Sequence, residues 1–281
     1  IRKRDGGFLY ATTDLAALRY RIQELDSDEV IYVVDARQQD HFRDVFDATR
    51  KIGWATLPDG TDVELVHLGF GTVLGEDRKP LKTRSGTNFS LKDLLTEAMS
   101  RGTREVRRRA EDPNSPTHSM SDEDLAAIGR AVGIGAIKYA DLGSGVGKDY
   151  VFDLDRMISF EGDTGPYIQY AHARICSLIA KSTEATDGEI VIAAPEERRL
   201  ALMLLKFSRV VEEAAESLEP SKLCRYLFTL AGEFSSFYQA CPVLRADNAS
   251  TRASRLHLSK LVRDVLADGL MQLGIDAPER M

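Results

Sequence analysis

The first hundred residues alternate short apolar runs with segments of helical periodicity. Residues 30–34 form a continuous apolar run, as in a buried parallel strand, and residues 8–12 and 63–68 are further strand candidates. Apolar residues at three- and four-residue spacing predict helices between them, the first capped by Thr12 or Thr13. Strand–helix–strand order indicates a parallel α/β sheet. Because only two or three strands are visible, the pattern predicts a partial nucleotide-binding, Rossmann-like domain.

Helical periodicity dominates the rest of the chain. Ser90 with Asp93, and Ser121 with Asp124, have the spacing of helix-capping pairs. Beyond residue 164, apolar stripes typical of a helical bundle predict helices over residues 167–179, 200–218, 223–237 and 258–270. The sequence therefore predicts three parts, which are an α/β part over residues 1–110, a helical connecting region over 111–160 and an all-α bundle over 161–281.

Composition places the chain among ordinary soluble globular proteins. Of its 281 residues, 43% are hydrophobic and 29% are charged. No run of about 18 apolar residues occurs, so we expect no membrane span. The three cysteines, Cys176, Cys224 and Cys241, are widely spaced and odd in number. This spacing excludes a disulfide framework and a zinc ribbon, and it favours a reducing cytoplasm.

Charge is distributed unevenly along the chain. The formal net charge is −7, but residues 1–110 hold 19 basic and 18 acidic side chains, so the remaining 18 basic and 26 acidic residues carry the acidity. Since nucleic-acid binders show a basic footprint, any RNA site must be local. The arginines between Arg101 and Arg109 could meet an RNA backbone, although a solvated helix face is the commoner explanation.

Two glycine-rich loops are candidate phosphate sites. Residues 143–148 lack the glycine and hydroxyl positions of a P-loop, which indicates a flexible turn. Residues 75–86 follow a strand, precede a capped helix and carry four cations, namely Arg78, Lys79, Lys82 and Arg84. Such a loop can close on a polyphosphate. Taken alone, a solvated basic loop is the favoured interpretation.

Polar side chains cluster at the predicted strand ends. Tyr10 and Asp14 flank the start of the first helix, and Gln38 lies just past the second strand, where α/β proteins bind ligands. An aspartate in a first helical turn is often only a partner of the helix dipole. A buried carboxylate there could instead hold a guanidinium through paired hydrogen bonds.

Eight segments of the chain resemble class I arginyl-tRNA synthetases. In the order of that family, they are residues 8–21, 31–42, 67–75, 81–86, 138–142, 149–153, 160–174 and 274–281. The resemblance implies a nucleotide-binding catalytic domain, a helical connection and a C-terminal anticodon-binding domain. It implies ATP-dependent activation of L-arginine to an adenylate, followed by transfer to the 3′-terminal adenosine of tRNA(Arg).

The resemblance also implies roles for individual residues. The arginine substrate would be bound by Tyr10, Asp14 and Gln38. ATP would be bound by His67, Gly71, Val73 and Leu74. Catalysis would involve the cations Lys79, Lys82 and Arg84. The anticodon loop would be bound by Tyr167, Tyr170, Tyr238 and Met281, although Tyr167 and Tyr170 are equally compatible with simple packing.

The sequence departs from the family pattern in two places. The second class I signature, K-M-S-K-S, is degenerate, with Leu81 and Arg84 at its lysine positions, so Lys79 or Lys82 would compensate. The first signature, H-I-G-H, is absent, and the chain looks like the C-terminal part of a synthetase that is inactive alone. A non-catalytic RNA-binding helical module is the alternative. The implied partners are ATP with Mg²⁺, L-arginine and tRNA(Arg) in the cytoplasm, without DNA, a membrane or a structural metal.

Overall fold

The computed structural model describes residues 2–80, 90–182 and 187–281 of the chain. It divides into two compact units, each with its own packing. Unit 1 comprises Ile1–Leu74 with Val146–Tyr150, and unit 2 comprises Gly75–Gly145 with Val151–Met281. These boundaries differ from the division at residues 110 and 160 that the sequence predicts. The structural units describe packing, so the division into catalytic, connecting and anticodon-binding parts stays a prediction.

Unit 1 is built around a two-stranded parallel sheet. Its elements are α1 (Tyr10–Gln23), β1 (Glu29–Asp35), a 3-10 helix (Ala36–Gln38), α2 (Gln39–Lys51), β2 (Glu64–Phe70) and β3 (Val73–Leu74). Strands β1 and β2 pair with Val30 opposite Leu65. Strand β3 forms a second pair with β4 (Tyr150–Val151). The expected parallel strands at residues 30–34 and 63–68 are thus confirmed, with shifted ends.

The core of unit 1 lies between the helices and the sheet. Leu18 and Ile22 of α1 and Phe42 of α2 are buried against Val30 and Leu65. These positions recur at helical spacing on α1 and alternate on the strands, so each element buries one face. The core therefore fixes how the two helices lie on the sheet.

The start of α1 differs from the sequence-based expectation. Residues 8–12 form no strand, because Phe8 makes only an isolated bridge with Arg2 and α1 begins at Tyr10. Thr12 and Thr13 lie inside the helix, and the Thr13 hydroxyl donates to the Tyr10 carbonyl at 2.7 Å instead of capping the helix. A short apolar run does not distinguish a strand from a helix start, which explains the wrong prediction.

Unit 2 is helical over most of its described residues. Its helices are α3 (Leu91–Ala110), α4 (Asp122–Gly143), α5 (Leu154–Met157), α6 (Gly165–Ala180), α7 (Pro195–Leu204), α8 (Phe207–Glu216), α9 (Ser221–Ala240) and α10 (Ala249–Gln272). The capping pairs are confirmed, since the hydroxyls of Ser90 and Ser121 accept the backbone N–H groups of Asp93 and Asp124 at 3.2 and 3.1 Å. The helix predicted over residues 200–218 is wrong as a single element, because it is interrupted between α7 and α8.

Two apolar clusters among the described residues stabilise unit 2. The larger surrounds α9, where Leu227, Leu230 and Phe234 pack with side chains of α6, α7 and α10. The smaller joins α3, α4 and α6 and includes Val106 and Met281. Helices α3 and α4 approach closely through glycines, and a Cβ at Gly102 would overlap the backbone of α4. No helix within the described ranges combines the length and apolar character needed to cross a bilayer.

Candidate functional site

Asp14 of α1 and His41 of α2 form a side-chain pair in unit 1. The Nε2 atom of His41 lies 2.7 Å from Oδ2 of Asp14. Because an ionised carboxylate only accepts hydrogen bonds, this ring nitrogen is the donor. Both side chains remain partly exposed. The other carboxylate oxygen, Oδ1, makes no hydrogen bond to any part of the chain that the structure describes, so it can accept one from a ligand.

Aromatic rings support this pair from the core side. The His41 ring contacts Phe42 edge to face at 5.1 Å, and Phe42 in turn stacks on His67 at 5.6 Å. Tyr32 packs on Phe42, and its hydroxyl accepts a hydrogen bond from Arg21 at 2.8 Å. Burial raises the pKa of Tyr32, although Arg21 opposes the shift. The hydroxyl of Tyr32 therefore stays neutral at physiological pH.

Tyr10 and Gln38, the other two residues expected to bind arginine, are exposed to solvent. In the sequence, each lies within four residues of Asp14 or His41. Tyr10 is the first residue of α1 and lies one helical turn before Asp14, on the same helix face. Gln38 ends the 3-10 helix that follows β1. Within the described ranges, neither side chain is hydrogen-bonded to Asp14. The structure thus brings Asp14 together with His41 and leaves Tyr10 and Gln38 open to solvent.

The residues expected to bind ATP lie on and after β2. The His67 ring belongs to β2, and its buried Nε2 atom has no hydrogen-bond partner among the described residues. Gly71 lies against the backbone of Lys148, which a Cβ at this position would overlap. The next residue, Thr72, donates its backbone N–H to Oδ1 of Asp149 at 2.6 Å. These contacts hold the chain that leads into Val73 and Leu74 of β3.

An arginine–aspartate pair follows β1 in the same unit. Arg37 donates Nε to Oδ1 of Asp35 at 2.9 Å and Nη2 to Oδ2 at 2.6 Å. These hydrogen bonds lower the pKa of Asp35 to about 2. Asp35 also accepts the backbone N–H of Arg37, which caps the 3-10 helix that ends at Gln38. The pair thus orders the backbone that presents Gln38.

The expected catalytic cations belong to the chain segment after residue 75. Lys79 lies in an exposed turn of unit 2, where its carbonyl accepts the N–H of Gly75 at 2.8 Å and its own N–H donates to Asp77 at 3.1 Å. Arg78 has a positive φ of 56° in this turn. Lys82 and Arg84 lie outside the described residues. Their catalytic roles stay predictions from the sequence.

The tyrosines expected to bind RNA have unequal surroundings in unit 2. Tyr167 packs on Phe228 at 5.5 Å and joins the larger apolar cluster. Tyr170 and Tyr238 are half-buried, and each ring carries a guanidinium, with Arg109 at 5.6 Å and Arg174 at 4.7 Å. Tyr238 also packs against the larger cluster, with its ring 6.1 Å from that of Phe234. Burial therefore does not separate the three rings, and RNA contact by each of them stays a prediction.

Met281 is buried among apolar side chains of unit 2. It is 5% exposed and packs in the smaller cluster of unit 2, against which Tyr170 also lies. The backbone leading to it is fixed by His172, whose Nδ1–H donates to the Pro278 carbonyl oxygen at 3.0 Å. Met281 therefore supports the surface that carries Tyr170.

The contacts of His41 and Arg109 are not visible in the sequence. His41 lies inside one of the family-like segments, but nothing in the sequence shows that it reaches Asp14, 27 residues earlier. Arg109 was one of several arginines at the end of a helix, and only the structure places its guanidinium 3.9 Å over Phe160. Both signals are tertiary contacts, which spacing along the chain does not reveal.

Comparisons with known proteins identify two families along the chain. Residues 1–154 match the family described as tRNA synthetases class I (R), catalytic domain, and residues 168–281 match the DALR anticodon binding domain. An arginine–tRNA ligase of Frankia casuarinae is 51% identical over 283 residues, covering 100% of this chain and 46% of the relative. That of Thermobifida fusca is 46% identical over 284 residues and is covered to 47%. The chain spans about half the length of the curated relatives it matches.

Solved structures give the same result. Arginyl-tRNA synthetases of Thermus thermophilus and Plasmodium falciparum each align with 100% of this chain at 31% identity and a TM-score of 0.83, covering 50% and 46% of their own chains. The expected fold class, a partial class I catalytic domain followed by a helical anticodon-binding domain, is confirmed. Because the catalytic-domain family covers more than half of its residues, the chain belongs to the class I arginyl-tRNA synthetases.

Proposed function

We propose that this chain works as part of an arginine–tRNA ligase that activates L-arginine with ATP and transfers it to the 3′-terminal adenosine of tRNA(Arg) in the cytoplasm. The observation that carries the proposal is the Asp14 carboxylate, which His41 holds by one oxygen while the other has no hydrogen-bond partner among the described residues. The catalytic-domain match over residues 1–154 favours an enzyme over a non-catalytic RNA-binding module, because such a module needs no substrate pocket.

The arginine side chain would bind to Asp14. A planar guanidinium offers several N–H donors in a fixed fork, which suits a carboxylate, whereas the ammonium of lysine cannot match the paired geometry. Tyr10 lies on the same face of α1, one turn earlier, and can cover the fork. Gln38, at the end of the 3-10 helix that follows β1, adds an amide oxygen that accepts a further hydrogen bond.

ATP would bind along the chain that leaves β2. His67, Gly71, Val73 and Leu74 lie on this segment, and Gly71 keeps its backbone close to Lys148. Lys79, Lys82 and Arg84 would balance the charge on the phosphates during arginine activation. In the described parts of the chain, no three metal-ligating side chains are grouped to hold an ion. Mg²⁺ therefore belongs to this proposal as a companion of the ATP phosphates.

The tRNA would bind to the helical unit. Tyr170 and Tyr238 each present a half-buried ring, and aromatic faces stack unpaired bases without requiring net positive charge. Tyr167 and Met281 would act mainly by packing beneath this surface. This division reconciles RNA binding with the acidic character of the second part of the sequence.

The proposal is tested in the complete enzyme that includes this chain. We expect arginine-dependent exchange of pyrophosphate into ATP, measured with and without tRNA(Arg), and arginylation of that tRNA. Asp14→Asn removes one charge of a pair, which costs about 2–5 kcal/mol, so the KM for arginine should rise by at least about thirty-fold. The KM for ATP should change little.

Asp40→Asn is the matched control. Asp40 lies on the same helix as His41 and forms an exposed ion pair with Arg43 at 3.0 Å. Its substitution should leave the KM for arginine unchanged. An Asp14→Asn enzyme with a normal KM for arginine would remove Asp14 from the substrate site, and a complete enzyme without arginine-dependent exchange would refute the proposed reaction.

A further inference from the structure

A groove of about 470 Å³ lies in unit 2, between the last turns of α3 and residues 155–161. One wall is formed by four arginines of α3, and the other includes Phe160 and Glu161. We call this feature the arginine groove and define its basic wall as Arg101, Arg104, Arg108 and Arg109. Neither the catalytic nor the base-stacking residues proposed above line it.

The helical period of α3 aligns the basic wall. Arg101, Arg104 and Arg108 recur at three- and four-residue spacing, which places them along one face of the helix. The side chains of Arg104 and Arg108 are 66% and 67% exposed, so their guanidinium groups are accessible from solvent. The alignment forms a row of cations about two helical turns long.

Carboxylates orient this row, and Glu105, Asp155 and Glu161 line the groove beside the four arginines. Glu105 accepts hydrogen bonds from Arg108 at 2.7 and 2.8 Å and from Arg109 at 3.0 Å, and the Arg108 bonds in particular lower the pKa of Glu105. Since a guanidinium has five N–H donors, these bonds fix the plane of each fork and leave donors free.

Among the four arginines of the groove, Arg104 makes the longest polar contacts within the described residues. Its shortest polar contacts within the described residues are 3.4 Å to the Ser100 hydroxyl and 3.9 Å to a carboxylate oxygen of Glu97. Both are at the long end of hydrogen-bonding or ion-pairing range. Its guanidinium can therefore turn to an incoming anion with little loss of existing contacts.

The groove leads directly to a ring that we propose to stack a base. The guanidinium of Arg109 lies 3.9 Å from the centre of the Phe160 ring and 5.6 Å from that of Tyr170. A nucleotide whose base stacks on Tyr170 would thus carry its neighbouring phosphates past Arg109 toward Arg108 and Arg104. The continuity between cations and ring favours an RNA strand over an acidic peptide, which brings no bases.

We propose that the arginine groove binds the sugar–phosphate backbone of the RNA strand whose base stacks at Tyr170. The inference rests on the proposed function, because it assumes that the helical unit binds tRNA. It adds a backbone-binding surface on α3, outside the residues 168–281 that match the anticodon-binding family. Backbone contacts would position the strand in register, while Tyr170 meets a base.

The test measures the affinity of the complete enzyme for tRNA(Arg) across a series of salt concentrations. Each phosphate contact contributes about 0.7–0.9 to the slope of log affinity against log salt. We expect Arg104→Ala and Arg108→Ala each to reduce this slope by about that amount. They should weaken binding several-fold at low salt, equally for cognate and non-cognate tRNA, without a shift in melting temperature.

Arg209→Ala is the matched control, because Arg209 is an exposed arginine of α8 in a similar helical ion pair, 2.7 Å from Glu213. Its slope should equal that of the unmodified enzyme. An equal loss of slope in this variant, or a weakened affinity with an unchanged slope in the groove variants, would overturn the inference. So would polyglutamate binding that depends on Arg104 while tRNA affinity does not.

The proposed function fails separately. If the unmodified enzyme does not bind tRNA(Arg), both the proposed function and the groove are refuted. If it binds tRNA(Arg) normally and the groove variants keep the full salt slope, only the groove is refuted.

Discussion

Arg255 of α10 donates Nε to Oε1 of Glu197 at 2.7 Å, and this carboxylate is only 1% exposed. The other oxygen of Glu197 accepts the backbone N–H groups of Ala193 and Ala194 at 2.7 and 2.8 Å, at the start of α7. One buried side chain thus satisfies orphan donors at a helix end and joins that helix to the longest helix of the bundle. The contact concerns stability rather than catalysis.

Removing this carboxylate should destabilise the bundle. Glu197→Ala leaves Arg255 without its partner and exposes unmet N–H groups, and breaking a buried pair costs about 3–5 kcal/mol. Urea unfolding followed by helical circular dichroism measures the loss. Glu212→Ala, at an exposed position of α8, should change stability by less than about 0.5 kcal/mol. Equal effects of the two substitutions would contradict the assigned role of Glu197.

The same residue predicts a pH dependence of stability. Burial alone would raise the pKa of Glu197, but hydrogen bonds from Ala194, Arg255 and Ala193 outweigh it and hold the pKa below the ordinary value. The contribution of the carboxylate is therefore complete above the unfolded-state pKa, about 4.3. It is lost as pH falls through the folded-state pKa. Unfolding free energies from pH 7 to pH 3 should show the gap between the unmodified protein and Glu197→Gln shrinking with acidity. A constant gap would show that the ionised form is not favoured.

His41 should act as a positioning residue for arginine binding. His41→Leu removes the hydrogen bond that holds Oδ2 of Asp14, so the carboxylate can rotate away from the guanidinium. We expect the KM for arginine to rise by roughly ten-fold, with the KM for ATP unchanged. His41→Gln, which keeps a donor of similar reach, should recover most of the affinity. If Gln and Leu behave alike, the hydrogen bond has no role in holding Asp14.

Arg43→Ala provides the control for this prediction. Arg43 is an exposed residue of α2 that pairs with Asp40. Its removal should leave all kinetic constants of the complete enzyme as they are. A rise in the KM for arginine in this variant would indicate that any change on α2 disturbs the site.

Tyr238 offers the cleaner test of base stacking. Tyr238→Ala should weaken tRNA(Arg) binding about five- to hundred-fold, the effect of losing one stacked base. Tyr238→Phe keeps the ring and should bind normally. Affinity at fixed salt and a melting curve measure the two effects. Removal of Met281 should lower the melting temperature as well, because this side chain is buried in the smaller apolar cluster of unit 2. Unchanged affinity in Tyr238→Ala would exclude RNA contact by this ring.

The 281-residue chain on its own should not catalyse arginine-dependent exchange of pyrophosphate into ATP, even with tRNA(Arg) present. It spans about half the length of the curated ligases, and the first class I signature does not occur in it. The exchange assay with a no-arginine control measures this. Exchange clearly above the control would show that this chain alone forms a working site.

Some local features of the fold were predictable from the sequence, whereas the start of α1, the break between α7 and α8 and the contacts across the chain were not. The caps at Ser90 and Ser121 depend on residues three positions away, so the sequence contains the whole signal. The interruption between α7 and α8 was missed because the apolar spacing continues through it. The Arg255–Glu197 contact joins residues 58 positions apart, and no pattern of spacing identifies such partners.

In the candidate site, too, some residues were expected from the sequence and others were found only in the structure. The arginine-binding and anticodon residues were expected from resemblance to a family, and their roles stay predictions. The structure added the partner of Asp14 and the ring beneath Arg109, which depend on how helices pack. Helix packing is set by many apolar contacts at once, so single-sequence patterns cannot fix which polar side chains meet.

The segment Val146–Tyr150 returns to unit 1 after more than seventy residues spent in unit 2, and the backbone of Lys148 fills the space that Gly71 leaves open. The polypeptide therefore passes between the two units three times. A shortened protein that stops at residue 110 would lack the return segment and leave the Thr72 N–H without Asp149. Unit 1 expressed on its own must therefore include the five residues Val146–Tyr150. They can be joined to it by circular permutation or by a short linker from residue 74.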